Sequence, residues 1–387
     1  MWVLALATLV NRLGSMALPF LVLYLTKHLG FSPPYAGLLF ALYGAGSLIA
    51  SPVAGRLCDR IGARRLLWAS LALTGLSLLL YPLATTPPSI ALATLAFSLT
   101  NESFRPASLV MVGELVAPAQ RKQAFALSRL AINLGMSVGP ALAGLLATIW
   151  FPVIFLVDGA TALLSAAILF FSFGRAGAPP PSRRAEASAA EDNASPRRAL
   201  SDRPFLLFLL ASFVIGTIFF QLEAAEPLYI VRDLHLSERS FGLLFTVNTT
   251  LILTLEVPLN AATARWSHPR TLSLGALLCG VGVGAIVFAQ GFWTAAISVA
   301  IWTFGEMLLF PAMAAYVADV SPKGRGGEYM GLYSTAFGLA FTIGPGLGTW
   351  VLQRFGGVVL WSGVFVVSVA AAGMMAAVPA GKAAHHG

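Results

Sequence analysis

Gly55-Arg56-Leu57-Cys58-Asp59-Arg60-Ile61-Gly62-Ala63-Arg64-Arg65 is a short charged passage between two long apolar runs. It packs four arginines and one aspartate into a chain of 387 residues of which 57% are hydrophobic and only 10% charged. No ordinary soluble domain needs that balance, and a bilayer does. A spanning helix takes roughly 20 mostly apolar residues, and in hydrocarbon only helices or closed barrels satisfy every backbone group. The runs on either side of the passage are far too long for barrel strands.

Working outward, breaks at Gly, Pro and charge give twelve spans. The first six are 3–26, 35–57, 66–85, 88–115, 122–148 and 151–173. The second six are 204–231, 238–262, 270–290, 292–318, 327–352 and 357–379. Span 1 lacks a charged start and a small-residue cleavage site, so it reads as part of the mature protein. Residues 174–203, with Pro179-Pro180-Pro181 and abundant Ala, Ser and charge, form a linker between two six-helix halves, 1–173 and 204–387.

Basic residues set orientation. The linker, the tail and the loops after spans 2, 4, 8 and 10 hold 17 Lys and Arg, whereas the other side has only Lys27, Arg232, Arg239 and Arg354. Both termini are therefore expected in the cytoplasm. The net charge of +8 follows from this scatter and does not form a nucleic-acid face. The halves also echo each other at an offset of about 205: Pro106, Glu114, Pro118, Arg121, Gly139, Pro140 and Gly144 recur in order as Pro311, Asp319, Pro322, Arg325, Gly344, Pro345 and Gly348. The fold class expected is an all-α membrane protein, with twelve transmembrane helices in two pseudo-symmetric bundles.

The opening passage resembles the major facilitator signature Gly-x-Leu-x-Asp-Arg-x-Gly-Arg-Arg, departing from it at Ala63, where a basic residue is common. The resemblance covers nearly the whole chain. It implies that Asp59 latches one conformation, with Gly55, Arg60, Gly62 and Arg64 around it, and that the arginines meet helix ends or lipid. No acid in the second half matches Asp59, so the latch is expected to be one-sided. Gly135-Met136-Ser137-Val138-Gly139-Pro140-Ala141-Leu142-Ala143-Gly144 resembles the glycine-proline motif of antiporters in the same superfamily, with Ala143 replacing a glycine. Gly139 and Pro140 are either a gate element or close packing, and the echo at Gly344 can equally record duplication. Glu114 and Asp319, at equivalent ends of spans 4 and 10, look like inner gate contacts.

Ionisable residues inside spans are costly and usually face a cavity or a partner. Asn11 and Arg12 lie in span 1, and Glu102 and Arg105 in span 4. The latter two are three apart, and either neutralise each other or serve coupling and substrate charge. Six intramembrane acids, Glu102, Asp158, Glu223, Glu226, Glu256 and Glu306, outnumber Arg12, Arg105 and Arg129. A lone carboxyl in hydrocarbon keeps its proton until water or a cation arrives, which is what proton coupling requires. Glu306 is flanked by Trp302, Phe304, Met307 and Phe310, an apolar wall suited to lipophilic cations. Glu223 and Glu226 either share a proton or bind a cation, or Glu226 stands near the outer rim and is simply hydrated. Asp158 reads as a helix-packing residue.

Cys58 and Cys279 cannot pair across their expected positions, and two cysteines make no zinc site. There is no phosphate loop, no His-Glu-x-x-His and no Gly-x-Ser-x-Gly, so neither an ATP-driven pump nor an enzyme is indicated. Gly280-Val281-Gly282-Val283-Gly284 lies within a span and reads as packing glycines. The reading is a secondary transporter of the cell (cytoplasmic) membrane. It is expected to need no cofactor or metal, to work as a monomer among membrane lipid, and to exchange a small-molecule substrate, hydrophobic or cationic, for protons. Proton-coupled uptake of a sugar, peptide or other organic solute is the alternative.

Overall fold

The computed structural model describes residues 1–116, 120–173, 199–322 and 325–379, apart from the side chains of 113, 114, 121, 122, 125 and 126. Most of the expected linker, and the Glu114 side chain, lie outside the described residues. Those described contain helices and no strand. Eleven helical stretches are long and apolar enough to cross a membrane. The remaining span, the fourth, consists of two helices, Pro87–Glu102 and Phe104–Leu115, meeting at Ser103.

Two compact units emerge. The first comprises Met1–Ala189 with Ser237–Thr249, the second Ala190–Leu236 with Thr250–Gly387. In the first, Leu4, Ala54, Leu66, Leu67, Phe104 and Leu169 bring spans 1, 2, 3, 4 and 6 together in a buried apolar core. Elsewhere in that unit Tyr24, Tyr81 and Phe155 form a ring cluster, Tyr81 stacked on Phe155 with centroids 4.7 Å apart. In the second unit, the glycines of span 9 admit their neighbours closely. A Cβ at Gly280 would collide with Ser368, one at Gly282 with Trp302, and one at Gly284 would press on Trp361 at 3.1 Å. Small residues let helices approach where lipid supplies no hydrophobic drive. The Gly280–Gly284 run is thus a packing surface.

The 205-residue echo extends to backbone detail. Tyr24–His28 and Tyr229–Asp233 each form a π-turn. The residues two beyond, Gly30 and His235, both have positive φ, 73° and 55°. Phe31 N donates to Leu25 O at 2.9 Å, and Leu236 N to Ile230 O at 3.1 Å. Helices begin at Ala63 and at His268, and short 3-10 turns follow at Tyr81–Leu83 and Ile286–Phe288.

The passage Gly55–Arg65 is not a loop. Pro33–Ile61 is a single helix, Ala63–Leu80 the next, and Gly62 alone turns the chain, at φ 86°. Arg56, Arg60, Arg64 and Arg65 fall within these two helices, as the good helix propensity of arginine allows.

Candidate functional site

Three spans are broken, and the polar residues gather at the breaks. Span 1 runs Trp2–Leu13, then unwinds through Gly14 and Ser15 before Ala17–Leu23. The freed amides of Met16 and Ala17 donate to Asp158 Oδ2 at 3.1 and 3.0 Å. Asp158, 6% exposed, thereby caps the second half of span 1 from span 6, complementing the positive end of that helix. Its structural reading holds, and the cap explains how a helix can open inside a bilayer without leaving amides unsatisfied.

Span 4 breaks at Ser103, immediately after Glu102. Tyr43 Oη, from span 2, donates to Glu102 Oε1 at 2.7 Å, and Asn101 Nδ2 donates to Tyr43 Oη at 2.8 Å. Arg12 lies in the same neighbourhood, its charge acting on Glu102, Tyr43 and Asp158, and its guanidinium 5.4 Å over the Phe104 ring. Asn11 is buried beside it in the chain, 5% exposed. Mutual neutralisation of Glu102 and Arg105, one of the two readings open for this pair, does not form. The helix is interrupted between the two, Arg105 is exposed, and Glu102 is held by Tyr43 and Asn101 instead.

Span 7 breaks in the second unit. Arg203–Phe219 is followed by the turn Phe220–Glu223, then by Ala225–Leu228. Gln221 stitches the break, its Nε2 donating to Thr217 O at 2.8 Å and to Gly344 O at 2.9 Å. Glu223 is half-buried on one side of Ala224, and Glu226, 4% exposed, lies on the other. Glu306 sits half-buried in the helix Phe292–Val320, close enough to Cys279 to act on it electrostatically. Of its expected aromatic wall, Trp302 and Phe310 pack edge-on against Phe219, at 6.0 and 4.9 Å, and Phe310 continues to Phe337 at 5.7 Å. Sequence reasoning missed Tyr43, Phe219 and Phe337, which belong to other spans than the acids they accompany, and Gln221, which ties span 7 to span 11.

The glycine motif of span 5 packs on the break of span 1. A Cβ at Gly139 would stand 3.0 Å from the carbonyls of Arg12 and Leu13, and one at Gly344 would stand 3.1 Å from Thr217 O beside the break of span 7. Pro140 lies within the helix Arg121–Ile149, its carbonyl against Gly242. Gly144 packs on Glu238 O, Thr246 Oγ1 donates to Ser137 O at 3.0 Å, and Lys27 forms an ion pair with Glu238, so the start of span 8 is bound to the first unit.

Among the gate candidates, Asp59 and Arg60 are exposed and Gly55 is half-buried. Arg64 Nη1 donates to Phe173 O at 2.6 Å, meeting the carbonyl end of span 6. Asp319, also exposed, accepts from or pairs with His268 Nε2 at 2.8 Å.

A family model described as Major Facilitator Superfamily matches residues 4–231 and 222–382. The chain is 24% identical over 357 residues to a Na(+), Li(+), K(+)/H(+) antiporter of Planococcus maritimus, covering 85% of this chain and 84% of the relative. It is 24% identical over 332 residues to multidrug resistance protein MdtH of Aeromonas hydrophila subsp. hydrophila, covering 85% and 82%. A crystal structure of a POT family transporter in complex with 5-aminolevulinic acid superposes with a TM-score of 0.79 over 96% of this chain and 94% of that one, at 16% identity, which speaks to the fold alone. The broken, glycine-packed spans and the family match together make this chain a multi-pass membrane transporter, not an enzyme, and a member of the Major Facilitator Superfamily.

Proposed function

We propose that the chain works by alternating access and exports hydrophobic or cationic compounds in exchange for protons. The observation that carries this reading is Glu306, a carboxyl in the middle of a spanning helix that also presents Trp302 and Phe310 to a cluster of rings. Ring faces attract organic cations, and a carboxyl that is charged only part of the time can trade such a cation for a proton. The similarity to proteins named as an antiporter and as a multidrug resistance protein supports the same direction of transport.

In this reading Glu102, with Arg12, Asn11 and Arg105 near it, and Glu223 with Glu226 form further stations for protons or substrate charge. Asp59, Arg60, Arg64, Gly55 and Gly62 at one membrane face, with Glu114 and Asp319, govern the conformational exchange, while Gly139 seals against span 1 and Pro140 against the start of span 8. The cell membrane is the expected site of action.

Ethidium movement in proteoliposomes under an imposed pH gradient tests this. Gradient-driven movement that is lost in Glu306→Gln, with the variant still monodisperse in detergent, is the result expected. Movement unchanged in the variant removes Glu306 from the site, and no movement of any lipophilic cation in wild type overturns export in favour of solute uptake.

A further inference from the structure

Glu102 stands between two helices, at the carbonyl end of Pro87–Glu102 and one residue before Ser103, the N-cap of Phe104–Leu115, so the opposed helix ends give its carboxyl little net hold. Something else must hold the carboxyl. Arg12 is near enough to act on it through space, yet no ion pair joins them among the described residues. The groups in contact are Tyr43 and Asn101. The Tyr43 hydroxyl oxygen accepts from Asn101 Nδ2 at 2.8 Å, so its single proton is directed at Glu102 Oε1, 2.7 Å away. Asn101 Nδ2 also reaches that same Oε1 at 3.3 Å. One carboxyl oxygen therefore carries both donors.

The Tyr43 side chain has no freedom to leave. It is 0% exposed, its ring lies 5.4 Å from Phe97, and its carbonyl accepts from the Ser98 hydroxyl. A Cβ at Gly46, one turn along, would strike that Ser98 side chain, so spans 2 and 4 are locked together at this level.

We propose that Tyr43 is a positioning residue for Glu102: its hydroxyl, aligned by Asn101, fixes the carboxyl at the span 4 break and makes proton exchange there depend on the contact between spans 2 and 4. The proposal rests on the reading of Glu102 as a proton-carrying acid and extends it to residues on a second helix.

Dicyclohexylcarbodiimide, which reacts with protonated carboxyls in apolar surroundings, provides a readout that needs no substrate. Labelling of the Glu102 peptide is followed by mass spectrometry across pH in the full chain, for wild type, Tyr43→Phe and Asn101→Leu. A hydrogen bond to a charged group shifts an equilibrium by about tenfold or more. The expected result is a Glu102 midpoint displaced by roughly one pH unit in Tyr43→Phe, a smaller displacement in Asn101→Leu, and an unmoved curve for Glu306 in the same samples. Coincident Glu102 curves, no labelling of Glu102 in any protein, or equal displacement at Glu102 and Glu306 would each overturn it. Should Tyr43→Phe fail to fold, Asn101→Leu carries the test. The underlying reading fails separately, if Glu102→Gln keeps full proton-driven transport while the labelling shift stands.

Discussion

Replacing Asp158 by alanine removes the carboxylate that accepts from the freed amides of Met16 and Ala17. Hydrogen bonds to a charged acceptor contribute about 1.5 kcal/mol each at the low end of their range, and there are two of them, at 3.1 and 3.0 Å. Alanine should therefore cost about 3 kcal/mol. Unfolding entropy is about 2.1 cal/mol/K per residue. Spread over the first unit, Met1–Ala189 with Ser237–Thr249, that cost lowers the melting midpoint by about 7 °C. Asp158→Asn keeps one acceptor oxygen and should fall between alanine and wild type. Differential scanning fluorimetry of the three proteins in detergent gives the order, and proteoliposome transport shows whether the asparagine variant still couples. Melting midpoints within a degree of each other, or an asparagine variant that melts like wild type but no longer moves protons, would refute the cap and return Asp158 to the coupling acids.

Gly30 has open space around any Cβ but φ of 73°, so Gly30→Ala should cost about 1 kcal/mol through backbone strain alone, read as a drop of about 2 °C in the same assay. The Lys27–Glu238 pair predicts that Glu238→Lys increases thiol labelling of a cysteine placed at Arg239, and that adding Lys27→Glu restores wild-type labelling; equal labelling of the single and double variants would dismiss the pair as idle.

The number and length of the spans, the 205-residue echo and the packing role of the span 9 glycines could all be read from the chain, because hydropathy and glycine spacing are local. The three breaks were harder. Ser15, Glu102 and Glu223 each stand four residues before a proline, Pro19, Pro106 and Pro227, whose ring opposes the carbonyl at that distance. Yet Pro52, Pro140, Pro258, Pro311 and Pro345 lie within uninterrupted helices. Proline permits a break, and the groups that receive the freed backbone or fix the neighbouring acid decide it. Those are Asp158, Tyr43 and Gln221, two of them on other spans and the third bonded to one. Such pairings have sequence separations of 141, 59 and 123 residues, which no periodicity reveals. The same blindness leaves Arg105, three residues on, as the partner that sequence offers Glu102, and hides Tyr43.

The backbone repeats at 205 residues, and so do Glu114 and Asp319 at the span ends, but the six acids within the spans do not. Counting by that offset, Glu306 occupies the place of Asn101, Glu102 that of Met307, Asp158 that of Gly363, and Glu226 that of Leu21. An ancestral duplication would have copied every acid along with the turns, caps and glycines that still match. The acids within the spans therefore diverged after the scaffold had doubled, and the mismatched positions form a historical register of where each copy took up separate duties. Ancestral reconstruction that restores like residues at those pairs, one at a time, would retrace the order in which the two halves ceased to be interchangeable.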